Sequence, residues 1–497
     1  MTAETKNFLT RDRVLRGNWP DPSRRRYQKQ RMAHWDGVSR KKENQKRPGA
    51  FYHKLLQHYY RFLVPMGLRI LEVGCGHGDL LASLNPSLGV GIDFSDNMLR
   101  CAAKKHKRLI FIRADVHEIP IKAKFDVIIL SDLVNDLYDV QQVLDRLQGL
   151  SHHRTRLILN FYNNLWRILL GITKGLGLGA DLLEQNWFSP HDVSNLLELS
   201  GYEVIHWRPA ILFPLKIPFI SALINRYLVN FPPLSWCALT HLVVAKSKQI
   251  PVQTSPQSHP SVSVIIPARN EAGNIEEIFK RLPDFGHESE LVFVEGHSSD
   301  ATYNTIQKMI ERNPGRKCRL FRQTGKGKGD AVRLGFREAE GDLLLILDAD
   351  MTVAPEDLLR FVEALTAGKG EFINGVRLVY PMEDKAMRFF NMVGNKFYSL
   401  AFSWLLGQPI KDTLCGTKAL WKKDYELIAA NRDYFGNFDP FGDFDLLFGA
   451  AKLNFKIVEL PIRYRSRKYG ETNINRWRHG LLLLQMVIFA ARRIKFI

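Results

Sequence analysis

RILEVGCGHGDLLASL, residues 69–84, decides the first fold of this 497-residue chain. A mostly apolar run (RILEV) meets three glycines, Gly74, Gly76 and Gly78, and then an apolar helix start. Glycine at such a turn lets the backbone bend tightly and approach a ligand closely. A glycine triplet alone marks many nucleotide-binding turns, so the order around it matters. GVGIDFS (89–95) supplies a second strand ending in Asp93, at the spacing of a carboxylate that holds ribose hydroxyls. FIRADVHEIP (111–120) supplies a third, with Asp115 after it, and FDVIILSDLVNDLYD (125–139) a fourth with an acidic, polar loop. From Leu68 to about Lys246, apolar runs alternate with amphipathic stretches, the rhythm of β-α units on a parallel sheet.

SKQIPVQTSPQSHP (247–260) is poor in large apolar residues and reads as a linker. The β-α rhythm then restarts with VSVIIPA (262–268), ELVFVEG (290–296), CRLFRQ (318–323) and DLLLILDAD (342–350). The last of these empties Asp348 and Asp350 from a buried apolar strand. Two carboxylates at i and i+2 jointly suit a hard divalent cation, Mg or Mn, held against a diphosphate. GKGKGDAVRLGF (325–336) is a basic loop leading into a helix, which places Lys328 for phosphate contact.

Lys and Arg number 70 against 51 Asp and Glu, a formal charge of +19. Such a surplus draws phosphates, whether on nucleotides, nucleic acid or an anionic membrane. The five cysteines are scattered and never spaced as CxxC, which argues against a disulfide scaffold or a zinc site and for a reducing, cytoplasmic setting. The first 16 residues lack a signal-peptide pattern, and no segment reaches the roughly 20 apolar residues of a spanning helix. Residues 1–50 form a basic arm, expected to be solvated and partly helical, with RNA or lipid binding as the alternative. In 476–497, the run Leu481–Ala491 is flanked by Arg476, Arg478, His479, Arg492, Arg493 and Lys495. It reads as an amphipathic helix, either lying in a membrane interface or packed on its own domain. The expected location is cytoplasmic, including a peripheral position on the cytoplasmic face of an anionic membrane.

The series over 51–246 resembles class I S-adenosylmethionine-dependent methyltransferases. Its loop is Glu72-x-Gly74-x-Gly76-x-Gly78, whereas a dehydrogenase commonly spaces its glycines as GxGxxG. QNWFSPHDVSNLLELSGYEVI (185–205) is similar to the late part of that domain. The resemblance implies S-adenosylmethionine as cofactor, with the glycine turn against the methionine moiety, Asp93 on the ribose and Asp115 on the adenine. Asp132, Asp136, His152 and His153 are candidate bases, and no motif selects among them. The Pro-interrupted stretch 209–236 reads either as cover for an acceptor pocket or as plain packing.

Residues 261–475 resemble inverting family 2 glycosyltransferases of GT-A fold, on VSVIIPARNEAGNI (262–275), VFVEGHSSDAT (292–302), the DxD strand and KDTLCGTKAL (411–420). This implies Pro267, Arg269, Glu271, Glu295, Asp300 and Lys328 on the nucleotide side. It places Asp348 and Asp350 at the metal and diphosphate, with Asp350 and Asp412 in catalysis. NGVRL (374–378), MRFFNMVGN (387–395) and YRSRKYGETNI (464–474) resemble the polyprenyl-phosphate sugar transferases. That branch implies an acceptor phosphate on Arg377 and Arg388, with Asn395 retained, and a C-terminal R-x-x-G-x-S segment matched by Arg467, Gly470 and Thr472, with Arg467 on the nucleotide sugar. Thr352, Met392 and Asn473 depart from its usual residues. The chain is thus expected to be α/β in two domains, a Rossmann-like class I methyltransferase and a GT-A glycosyltransferase. Its expected partners are a nucleotide-sugar donor, a polyprenyl-phosphate or other acceptor, and no specific nucleic acid. Two alternatives stand: a glycan or small metabolite as sugar acceptor, and an RNA-binding methyltransferase with an inactive second domain.

Overall fold

The computed structural model describes residues 22–42, 49–175, 183–249, 260–285, 288–377, 389–435, 442, 444–465, 467, 469 and 476–497. Arg388, Gly470, Thr472 and Asn473 lie outside the described residues. The chain divides into two compact units, one up to Gln249 and one from there to Lys495.

In the first unit the strands are β1 (Arg69–Val73), β2 (Leu88–Asp93), β3 (Ile110–Arg113), β4 (Val127–Leu130), β5 (Arg156–Tyr162), β6 (Tyr202–Ile211) and β7 (Thr240–Ser247). They form one sheet in the order β3-β2-β1-β4-β5-β7-β6. The first five run parallel, and β7 is antiparallel to both neighbours. A parallel sheet covered on both faces needs strands apolar on both faces, and all four residues of β4, VIIL, are buried. Side chains alternate between two cores: Leu71, Ile128 and Leu157 face one way with Val143 and Leu147, while Ile70, Val127 and Ile129 face the other with Leu56 and Tyr60. Ser95 and Asp139 cap the helices Asp96–Lys105 and Val140–Gln148, and Ser189 with Asp192 forms a capping box on Pro190–Leu199.

The second unit contains β8 (Val262–Ala268), β9 (Ser289–Glu295), β10 (Lys317–Arg322), β11 (Leu343–Ile346), β12 (Phe372–Val376), β13 (Lys418–Trp421) and β14 (Ile457–Pro461). Their order is β10-β9-β8-β11-β13-β12-β14, with β13 antiparallel between β11 and β12. Both units are α/β with mixed sheets, as expected. In each, the carboxyl ends of the parallel strands open at one edge, where such sheets bind ligands.

Two segments outside the sheets bear on function. Residues 22–42, expected as part of a solvated arm, form a helix whose Arg24 and Arg31 are buried. The helix Arg476–Ala490 buries Leu483, Met486 and Ala490, and Tyr398 donates to the Gly480 carbonyl (2.7 Å). Its Leu481, Leu484 and Ile488 are exposed. Among the described residues, no helix is long and apolar enough to cross a membrane.

Phe293 is fully buried on β9 and stacks on Phe279, with ring centroids 5.4 Å apart and planes 7° from parallel. Phe293→Ala is expected to cost the second unit about 3–5 kcal/mol in urea unfolding. A loss below about 1 kcal/mol would show that this pair is not part of a sealed core.

Candidate functional sites

In the first unit the glycine turn is held shut from inside. The buried Glu72 accepts the Leu81 N–H (3.0 Å), tying the end of β1 to the helix beyond the turn. Asp93 accepts the N–H of Gly76 (2.9 Å) with one oxygen and that of Ser95 (2.9 Å) with the other. Burial pushes Glu72 up to about 8 and also raises Asp93. Gly74, Gly76 and Gly78 all have positive φ. A Cβ on Gly74 would fall 2.8 Å from Leu133 Cδ1, and one on Gly78 would fall 2.7 Å from Phe111 Cζ. At Gly76 nothing lies closer than Met98 Sδ at 3.6 Å, so this glycine is required by its backbone angle. Open backbone at Gly76 with an adjacent buried carboxylate fits a ribose-bearing cofactor.

Asp115 is engaged more fully than the sequence suggested. One oxygen accepts from the His117 N–H (3.1 Å) and ring (2.8 Å), the other from Gln28 (2.8 Å) and Arg24 (3.3 Å). Burial opposes its charge, but the bonds from His117 and Gln28 outweigh it and hold the carboxyl below its ordinary value. Asp136 receives Trp35 Nε1 (2.8 Å) and pairs with Arg31 (3.2 Å). Arg24, Gln28, Arg31 and Trp35 are spaced by four, three and four, one face of the 22–42 helix. This spacing was the available signal, and sequence reading missed it because the stripe is polar.

Of the candidate bases, Asp132 follows β4 at the carboxyl edge. It accepts from Tyr52 (2.7 Å) and Asn160 (2.6 Å) and has φ of 53°. Burial raises its value. His152 instead bonds Asp126 (3.3 Å), ahead of β4 at the opposite edge, with His153 beside it. Neither is near the glycine turn, so both are removed as bases.

In the second unit three acid–base groupings meet at the carboxyl edge. Lys328 lies 2.6 Å from Asp348; burial resists the charge on Asp348, but Lys328 outweighs it and the carboxyl is lowered. Arg467 bridges Asp350 (2.8 Å) and Glu271 (3.4 Å), and burial pushes Glu271 up to about 7. Arg377 grips Asp412 through Nε (2.7 Å) and Nη2 (2.8 Å). The same carboxylate accepts the N–H groups of Arg377 (3.1 Å) and Leu414 (3.1 Å). Burial works against charge on Asp412, yet Arg377 holds it below the ordinary range. Asp412 and Arg377, expected in catalysis and in acceptor binding, are thus directly clamped to each other. A Cβ on Gly416 would fall 2.0 Å from Lys328 Nζ and 2.1 Å from Asp348 Oδ2, which explains glycine there.

Glu295, Asp300, His297, Ser298, Tyr303 and Arg322 line an open cleft of about 390 Å³, with Arg322 4.1 Å over the Tyr303 ring. Asp300 also accepts the Ala272 N–H (3.3 Å), tying this loop to the one after β8. Pro267 is half-buried at the end of β8, and Arg269 is exposed beyond it. Among the described residues, no three His, Cys, Asp or Glu side chains form a metal cluster. The Asp348 and Asp350 pair nevertheless fits a cation that takes its remaining ligands from diphosphate and water.

Residues 66–181 match the model of a methyltransferase domain, and residues 263–428 that of glycosyl transferase family 2. The chain carries a methyltransferase domain and a family 2 glycosyltransferase domain. The glycosyltransferase domain is 32% identical over 218 residues to a dolichol-phosphate mannosyltransferase of Pyrococcus furiosus, covering 43% of this chain and 59% of that protein. It is 25% identical over 227 residues to an undecaprenyl-phosphate 4-deoxy-4-formamido-L-arabinose transferase of Edwardsiella ictaluri (45% and 64%). An undecaprenyl-phosphate mannosyltransferase of Micrococcus luteus is 29% identical over 222 residues (43% and 87%). The chain thus spans about three fifths of the first two relatives.

The buried Glu72 gives the methyltransferase domain a pH signature. Its folded value, about 8, lies above the about 4.3 of a free Glu. The folded state keeps a proton that the unfolded state releases, so stability falls as pH rises through that window. Wild type is expected to lose stability against Glu72→Gln between pH about 5 and about 8 in denaturant unfolding, then to run parallel. Equal slopes throughout would contradict the buried protonated state.

Proposed function

We propose that the chain is a bifunctional transferase: its glycosyltransferase domain moves a sugar from a nucleotide diphosphate to a polyprenyl phosphate with inversion, and its methyltransferase domain methylates an acceptor from S-adenosylmethionine. The Asp412–Arg377 clamp carries the acceptor class. A hydroxyl acceptor needs a base for its proton, but Asp412 is saturated by donors and held at low basicity. A phosphate arrives ionised and needs none. The names of the relatives support the same class.

In this reading the acceptor oxygen bonds to the anomeric carbon as the bond to the diphosphate breaks, and the electron pair leaves with the diphosphate. Asp348 and Asp350 hold a divalent cation, which when bound neutralises charge on that leaving group. Lys328 adds a positive charge beside it, Arg467 positions Asp350, and the Glu295–Asp300 cleft takes the nucleoside. Gly76, Asp93 and Asp115 hold the methyl donor. Work at the cytoplasmic face of an anionic membrane is supported by exposed Phe397 and Leu400 beside Leu481, Leu484 and Ile488, with Arg492 and Arg493 exposed nearby.

The test is nucleotide release from a panel of sugar nucleotides with Mg²⁺ or Mn²⁺, with and without polyprenyl phosphate. Lipid-dependent release from one donor is expected. Asp348→Asn with Asp350→Asn is expected to lower it by about a hundredfold or more while S-adenosylhomocysteine binding persists. Gly76→Val, which puts a branched side chain at φ 51°, is expected to do the reverse. Release that ignores lipid, or no release from any donor, would overturn the reading.

A further inference from the structure

The methyltransferase domain carries a surface built inside out. In 213–236, the polar side chains turn inward: Ser221 bonds the Ile217 N–H (2.7 Å) and the Leu215 carbonyl (2.6 Å). Asn225 accepts the N–H groups of Leu212 (3.0 Å) and Phe213 (2.8 Å). Both are buried, while Phe219 is 91% exposed, Trp236 66% and Leu215 61%, with Ile220 and Leu223 also exposed. Phe219 holds φ at 61°, a costly angle for a bulky residue.

A second apolar strip adjoins it. Asn163 donates to the Trp236 carbonyl (2.8 Å) and Trp166 Nε1 to that of Cys237 (2.8 Å). The residues that follow expose Leu165, Leu169, Ile172 and, at 76%, Ile168. Scattered apolar residues are ordinary on a protein surface, but a contiguous apolar area marks an interaction site. The charge pattern selects the partner. Neither 163–175 nor 213–239 contains Asp or Glu, whereas Arg167, Lys216 and Arg226 are exposed among them. Exposed apolar side chains whose own segments carry cations and no acids fit an anionic bilayer.

The strips are rooted at the reacting end of the sheet. Leu239 donates to Ile211 (2.7 Å), and the next residue, Thr240, bonds Tyr52 (3.1 Å), which donates to Asp132. Leu133 packs on Gly74 of the cofactor turn. We propose that 165–172 and 213–236 dock the methyltransferase domain on an anionic bilayer, and that its methyl acceptor is borne by a lipid presented at the Asp132 end. This rests on the methyl-transfer reading above. A nucleophilic oxygen or nitrogen of the acceptor takes the methyl group as the S–CH3 bond breaks, the electron pair stays on sulfur, and Asp132 is placed to receive the acceptor's proton.

The test is co-sedimentation of the full chain with vesicles of phosphatidylcholine and phosphatidylglycerol, with S-adenosylhomocysteine calorimetry alongside. Wild type is expected to sediment. Phe219→Glu with Trp236→Glu, and separately Ile168→Glu, are expected to lose partitioning by about tenfold or more with unchanged calorimetry. Unchanged partitioning of both variants, a wild type left in the supernatant, or variants that instead turn a dimer into a monomer would overturn the docking. Methyl label from S-adenosylmethionine is expected in the organic extract of vesicles carrying polyprenyl phosphate and sugar nucleotides, and its absence there would overturn the lipid-borne acceptor. Vesicle binding lost in the variants while wild type binds no S-adenosylhomocysteine would sink the methyl-transfer reading alone.

Discussion

Parallel strands that end in carboxylates impose the constraint on which the second unit depends. Asp348, Asp350, Glu271 and Asp412 converge on one edge, and a group of like charges beside a low-dielectric core does not persist uncompensated. The chain answers with three cations from distant segments: Lys328 from the first turn of the helix Lys328–Glu338, Arg467 from the chain after β14, and Arg377 from the end of β12. The first two hold acids at the carboxyl edge, Lys328 on Asp348 and Arg467 on both Asp350 and Glu271. The third pair is different. Asp412 and Arg377 are joined through two side-chain bonds and the Arg377 backbone N–H. Breaking such a buried pair by removing one partner typically costs about 3–5 kcal/mol, so this clamp is structure as much as chemistry.

The first unit solves a similar problem with backbone rather than with cations. Asp93 and Glu72 are both buried near the glycine turn, and each is satisfied by main-chain N–H groups. The turn is thereby fixed by the chain's own carboxylates, with room left beside the backbone at Gly76. Asp115 departs from this pattern, since its outer oxygen is held by Arg24 and Gln28 of the helix 22–42.

What was legible in the sequence follows from these differences. The glycines at 74 and 78 announce themselves because sterics admits nothing larger, and the DxD pair because acids after a run of apolar residues have few structural uses. The 1–50 arm reads as partly helical, but the buried face of the helix 22–42 was hidden because its inward stripe is Arg24, Gln28, Arg31 and Trp35, and hydrophobic periodicity responds to apolar stripes. The Arg377–Asp412 clamp was hidden because 35 residues separate partners whose roles had been read one at a time. The stretch 209–236 was visibly apolar, but its prolines break the period that would say which side faces water, so cover for a pocket and plain packing looked alike. Of the four candidate bases, His152 and His153 fall away for a topological reason. They precede β5, and residues ahead of a parallel strand sit at the edge away from the ligand.

One topological device recurs in both units and brings together residues far apart in the chain. A parallel strand delivers residues to the site as it ends. An antiparallel strand in the same sheet must begin at that edge, so the residues just before it arrive beside those just after its neighbours. In the first unit β7 begins at Thr240 opposite Tyr162, the last residue of β5, and Thr240 meets Tyr52 on Asp132. In the second, β13 begins at Lys418, and the segment before it sets Asp412 on Arg377 and Gly416 against Asp348. A single reversed strand therefore closes each site with residues far along the chain from the donor motif. The glycine turn and the DxD pair are local and readable as motifs, whereas the groupings around Asp132 and Asp412 are assembled across the reversal, which is why they emerge only from the fold.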